Sequence, residues 1–142
     1  MQPLIHGFFS LETPVENRVK FDDAVRLLRE HYNELLGKVP EYPPIADGAP
    51  TTIEEAGGLE FKTTDEFWLY EIDFEFWKKL AESFPEVSVS LYYGSIFIGE
   101  KCGMFLSVDG RVTDVRYEDG SYDAIEFSKG LNGMDSLEEE SV

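Results

Sequence analysis

Residues 59–93, LEFKTTDEFWLYEIDFEFWKKLAESFPEVSVSLYY, change their hydrophobic period twice, and few folds accept that change. Leu59, Phe61 and Thr63 alternate with Glu60 and Lys62, the two-residue period of a strand with one face inward. Phe67 to Ile72 predicts a second extended piece, after a kink near Thr64-Asp65. Phe76, Trp77, Leu80, Ala81 and Phe84 then share one face of a helix, with Asp73 at its N-cap and Glu75 in its first turn. Pro85 ends that helix. Val87, Val89, Leu91 and Tyr93 alternate with Ser88, Ser90 and Tyr92, the cleanest half-buried strand in the chain. The apolar sides of this strand-helix-strand unit fill a core. The carboxylates of Glu60, Asp65, Glu66, Glu71, Asp73, Glu75, Glu82 and Glu86 must turn to solvent.

On the N-terminal side, residues 4–12 read as a strand apolar on both faces, suited to the middle of a sheet. Thr13-Pro14-Val15-Glu16 fits a capping box, and an alternative helix start lies near Phe21, where Asp22 and Asp23 favour the positive helix end. Phe21, Val25, Leu28, Tyr32 and Leu35 recur at helical spacing, and Gly37 is the expected stop. Residues 38–58, rich in Pro and Gly, predict a long loop, with one helical turn at Thr51–Glu55. Beyond Gly94 the reading is all-β. Ile96-Phe97-Ile98 is a short apolar piece, and Gly99 and Gly103 bracket a turn. Asp109-Gly110 joins two hairpin strands, and Asp119-Gly120 leads into a further strand over Ser121–Phe127. From Lys129 onward the residues are polar and predict a flexible acidic tail.

These elements predict one domain over 1–128 and a tail over 129–142. The fold class is α+β, a ferredoxin-like sandwich. Two helices pack on one face of a mostly antiparallel sheet, and an extra C-terminal hairpin extends it.

Charge is the outlying property. Twelve basic and 29 acidic residues leave a net charge of −17. A surface of about 7,500 Å² follows from the mass, or one net charge per roughly 440 Å². Duplex DNA carries one per roughly 100 Å². The protein therefore approaches the charge density of DNA only where its carboxylates gather on one face. Direct binding of nucleic acid or of an anionic membrane is opposed by this charge. The segment 54–75 holds a single base, Lys62, among its acids, and the stretch from Asp109 to the end is again acidic. Solubility alone is the competing explanation of both regions.

Motifs for catalysis are absent: no Walker sequence, GxGxxG, HExxH, GxSxG or CxxC occurs. His6 and His31 fit structural imidazoles, and Cys102 sits in a Gly-flanked turn without an evident base beside it. Carboxylate pairs are frequent, but 29 acids produce pairs by chance. No cofactor and no metal site is expected. Cys102 cannot close an internal disulfide, MQPLIHGFF lacks a basic leader, and no apolar run approaches membrane length. These features point to a cytoplasmic setting.

The run Leu59-Glu-Phe-Lys-Thr, followed by FWKKLAESFPEVSVSLYY over 76–93, resembles the ferredoxin-like domain of YubB-type proteins from phages and plasmids. That family shows a strand ending in Thr, a helix of the form LA..FP, and a strand ending in Tyr before a Gly-rich turn. Where the family carries a Trp-Gly-Thr-type segment, this chain has its Pro-rich loop. The resemblance implies a mobile-element origin and a bacterial host cell.

Charge and resemblance together lead to the expectation of a non-enzymatic acidic inhibitor. It would dock on a basic protein, a nuclease or nucleic-acid-binding effector of the CRISPR or restriction type, by DNA mimicry where the acids are dense enough. The expected contact residues are Asp65, Glu66, Glu71, Asp73, Glu75, Glu118, Asp119 and Asp123, with Trp68 and Tyr70 as anchors. An immunity protein against a basic toxin nuclease has the same physics. A small hydrolase using clustered carboxylates or Cys102 is the enzymatic alternative.

Overall fold

A computed structural model describes residues 4–36, 51–63 and 67–132, without the side chains of 35, 36, 67, 68 and 132. The chain is α+β, with an open antiparallel sheet. Strand β1 spans Ile5–Pro14, helix α1 Arg18–Leu36, β2 Thr51–Glu55, β3 Gly58–Lys62 and β4 Phe67–Leu69. Helix α2 spans Phe74–Ser83, β5 Ser88–Ser95, β6 Gly103–Val108, β7 Arg111–Arg116 and α3 Tyr122–Asn132. The sheet order is β2-β3-β1-β5-β6-β7, and β4 pairs with the N-terminal part of β1 on the edge that β3 occupies further along.

Register assigns the faces. Phe9, Leu11, Phe61, Val89, Leu91 and Phe105 point to one side and are buried there. Helices α1 and α2 cover that side: the Phe9 ring lies 5.4 Å from Tyr32 of α1 and 5.7 Å from Trp77 of α2. The stripe Phe21, Leu28 and Tyr32 is buried as its spacing requires, with Val25 packed at the rim. In α2, Trp77, Leu80 and Ala81 are buried, and Asp73 caps the helix by accepting from the Phe76 backbone N–H at 3.2 Å.

Among the described residues the opposite face is covered at one end only, by α3. Gly94 makes room for it: a Cβ there would sit 3.2 Å from Leu131 Cδ2 and 3.2 Å from Cys102 Cβ. Beyond that corner Phe8, Tyr92, Met104 and Leu106 are half-buried on an uncovered sheet surface.

Several expectations are corrected. Residues 51–55 form no helical turn; they are β2, joined to β3 by a tight turn in which Ala56 and Gly57 take φ of 51° and 78°. Thr51, Thr52 and Ile53 are β-branched, and cross-strand pairing with β3 decides their conformation. The loop expected over 38–58 therefore ends sooner. Thr13 does not open a capping box, because β1 runs to Pro14 and a 3₁₀ turn over Val15–Asn17 precedes α1. The Thr13 hydroxyl instead donates to Glu86 O at 3.0 Å and accepts from Asn17 Nδ2 at 3.1 Å. Gly37 and most of the Pro-rich loop lie outside the described residues.

The strand expected over 121–127 is helical. Gly120 takes φ of 79° and donates to Gly99 O at 2.9 Å, so the Asp119-Gly120 turn folds back on the β5–β6 loop and makes no hairpin. Ser121 Oγ then accepts from the Ala124 N–H at 3.1 Å, starting α3. That helix carries Lys129 to Asn132, so the tail expected from Lys129 begins inside it. No helix among the described residues is long and apolar enough to cross a membrane.

Candidate protein-docking surface

Strand register gathers three connections at one end of the sheet. Ile5 stands opposite both Leu69 and Ser95, and Gly103 stands opposite both Tyr93 and Arg116. The C-termini of β4, β5 and β7 therefore lie at the same end. So do the β4–α2 connection, the β5–β6 loop and the β7–α3 turn that follow them. Arg116 ties the first to the last, since its guanidinium lies 3.9 Å from the centroid of Phe74, the first residue of α2.

Most expected contact residues that the structure describes fall here. Glu71 is exposed in the β4–α2 connection, Asp73 is exposed at the N-cap, and Glu75 is exposed in the first turn of α2. Glu118 and Asp119 are exposed in the β7–α3 turn, and Asp123 is exposed in the first turn of α3. Tyr70 is half-buried beside them. Trp68 stands in β4 opposite His6. Asp65 and Glu66 lie outside the described residues.

These carboxylates are not equivalent. Asp73 is engaged in capping α2, and Asp119 Oδ1 accepts from the Lys101 backbone N–H at 2.9 Å. Glu71, Glu75, Glu118 and Asp123 make no ion pair and no side-chain hydrogen bond among the described residues. Glu75 and Asp123 do sit at helix N-termini, where the backbone dipole favours negative charge. That structural benefit is modest, and the Glu75 charge also acts on Arg116 at this end.

The sequence reading missed the apolar part of this end. Ile96, Phe97 and Ile98 form the tip of the β5–β6 loop and are 46%, 55% and 53% exposed. Tyr122, two residues past Gly120, is 76% exposed. The signal lay in a run of three large apolar residues between Gly94 and Gly99 that joins neither a strand nor a helix pattern.

A second acidic locus lies at the other end of the uncovered face. Glu12 of β1 stands opposite Glu60 of β3, bordering an open groove of about 470 Å³ that Ile53, Glu55 and Ser88 also line. A hydrogen bond between the two carboxyls, with burial and the Glu60 charge, pushes the Glu12 pKa above its ordinary 4.5; Lys62 opposes the shift. The described residues contain no group of three or more His, Cys, Asp or Glu placed to hold a metal ion.

Cys102 is not exposed for chemistry. It is buried under α3, its thiol donates to Ala124 O at 3.5 Å, and burial pushes its pKa up. His6 is likewise buried, and His31 stacks on Phe76 with ring centroids 3.8 Å apart.

Comparison with protein-family models, with curated proteins and with solved structures found no match.

Proposed function

We propose that this chain is a non-enzymatic acidic binding protein. In this reading it docks the end bearing the β4–α2, β5–β6 and β7–α3 connections onto a cationic surface of a nucleic-acid-binding protein. One observation carries the reading: the register brings Glu71, Glu75, Glu118 and Asp123 to one end, and none of them forms an ion pair among the described residues, the Arg116 guanidinium that also feels the Glu75 charge being bonded to Asp114. Unpaired carboxylates on one surface give a directional negative field, which speeds encounter with a basic partner and selects against acidic ones.

The finer reading is an inhibitor of a host defence nuclease or effector, encoded by a phage or plasmid and acting in the bacterial cytoplasm. Its frame would be the ferredoxin-like sandwich of the YubB-type resemblance. In support, β1-α1-β2-β3 and α2-β5 follow that connectivity, with β5 and β3 flanking β1 and both helices on one face. Strands β6 and β7 widen the sheet and α3 underpins it. Inhibition here means competition with DNA for the partner's cationic groove.

The test uses the purified chain immobilised as bait for bacterial lysate at low salt, with retained proteins assayed for DNA binding in its presence. The expected result is a retained nucleic-acid-binding protein that loses its DNA when the chain is added. The Glu71→Lys/Glu118→Lys double variant should lose that effect. Capture that is indifferent to both salt and charge reversal would refute the reading.

A further inference from the structure

Ile96, Phe97 and Ile98 are consecutive, large and apolar, and each is about half exposed. A mobile loop could bury such residues against its own domain; this one is held outward by a dense set of bonds. Ser95 N–H donates to Glu100 O at 3.1 Å, Glu100 N–H to Phe97 O at 3.2 Å, and Ile96 N–H to Leu4 O at 3.2 Å. Phe97 N–H donates to Ser95 Oγ at 3.1 Å, and Gly99 N–H to Ser128 Oγ of α3 at 2.8 Å. Gly99 takes φ of 84°, and a Cβ there would lie 2.8 Å from Ile125 Cγ1, so the loop is pressed against α3 where only glycine fits. The loop is thus anchored to Leu4 just before β1, to α3 and, through Lys101 and Asp119, to the β7–α3 turn.

Apolar side chains held outward, with no cover among the described residues, mark a contact surface, and a preformed loop spends little conformational entropy on binding. Charge identifies the occupant. The knuckle is continuous with the turns that carry Glu118 and Asp123, and exposed Glu100 lies within it. A bilayer with anionic lipid is repelled by that rim. A second copy related by a two-fold axis would bring like rims together. A surface whose apolar pocket is bordered by Lys and Arg satisfies both parts.

We propose that Ile96-Phe97-Ile98 is the apolar anchor by which the chain docks onto a protein surface with an apolar pocket rimmed by lysine and arginine. The inference rests on the acidic docking reading and deepens it by locating where the affinity resides. Carboxylates at the rim steer, and the desolvated centre holds.

The probes are two synthetic peptides of equal charge: an amphipathic helix of Lys and Leu, and a shorter all-Lys chain with the same number of lysines. Binding is followed through backbone amide shifts of the full chain. The expected result is that the Lys/Leu helix binds more tightly than the all-Lys peptide, shifts residues 96–101 and 118–123, and keeps more of its affinity at high salt. Phe97→Ser should weaken the Lys/Leu helix about tenfold or more and leave the all-Lys affinity as it was. Ile98→Ser should act in the same direction. Both side chains are exposed, and an unchanged urea midpoint confirms an intact fold. Equal binding of the two peptides, unaffected by Phe97→Ser, overturns the anchor and leaves the acidic reading standing. Failure of both peptides to bind overturns both readings. Binding to zwitterionic vesicles, or self-association, that Phe97→Ser abolishes assigns the knuckle to a membrane or a second copy and overturns the proposal.

Discussion

The guanidinium of Arg116 sits 3.9 Å from the ring centroid of Phe74, joining the last residue of β7 to the first residue of α2. This contact links the two acidic turns directly, in addition to their connection through the sheet. Asp114 orients the cation by accepting from Arg116 Nη2 at 3.0 Å and from Nε at 3.3 Å. An exposed cation–π pair contributes about 0.5–1 kcal/mol. A double-mutant cycle over Arg116→Gln and Phe74→Leu, read by urea unfolding, should return a coupling of that size. The cycle cancels the change in overall charge that Arg116→Gln brings by itself. A coupling near zero would mean that the ring and the guanidinium are neighbours without mutual stabilisation.

Asp73 belongs to both the fold and the proposed surface, and the two roles separate by substitution. Its carboxylate caps α2 through the Phe76 N–H. Asp73→Ala should cost about 1 kcal/mol of stability, whereas Asp73→Asn keeps a capping oxygen and should cost much less. Both variants lose the charge. Urea midpoints therefore rank Ala below Asn, while any weakening of partner binding caused by lost charge should be the same in the two. A binding defect confined to Asp73→Ala would show that helix α2, not its charge, is what the partner senses.

Glu12 makes an opposite kind of contribution. Its hydrogen bond with Glu60, burial and the Glu60 charge raise its pKa above 4.5. The folded protein thus holds this proton more tightly than the unfolded chain does. Stability from this group is greatest below the ordinary value and falls as pH rises through the raised one. Glu12→Gln keeps a hydrogen-bond donor toward Glu60 and removes the ionisation. The variant should be more stable than the parent at neutral pH and should lack this part of the pH dependence. Urea midpoints across about pH 4 to 8 check it, taken as the difference between the two proteins. A parent that gains stability relative to the variant as pH rises would reverse the assignment.

How far the chain could be read follows from what each segment answers to. The α1 stripe and the Val89-Leu91-Tyr93 alternation face the core directly, so burial and period agree: Leu28 is 1% and Leu91 0% exposed. The Asp73 cap is a local bond and was legible for that reason. Asp119-Gly120 argues for a hairpin, and so for a strand over Ser121–Phe127. The outcome was set by Gly120 bonding to Gly99, a contact twenty-one residues distant in the chain that local pattern cannot anticipate. Ser121 with Asp123 in the next turn was the available helix-start signal. The acidic half of the candidate surface was visible as charge. Its apolar half was not, because Ile96–Ile98 reads as core until the hydrogen bonds that hold it outward are known.

Cys102 decides between a binding protein and an enzyme using this thiol. A cysteine nucleophile acts as thiolate, in an accessible setting that lowers its pKa. Here the residue is 2% exposed, its thiol is bonded to the Ala124 carbonyl, and its pKa is pushed above 9.0 chiefly by burial, with the Ser128 hydroxyl offsetting part of the shift. The thiol should therefore react with an alkylating reagent only as fast as the domain opens, and at full speed in urea. Cys102→Ala should cost about 1–2 kcal/mol through lost packing beneath α3 and leave binding by the 96–98 and 118–123 segments unchanged. Labelling of the native protein as fast as in urea would return Cys102 to consideration as a nucleophile, because it would require α3 to lift from Gly94 without global unfolding.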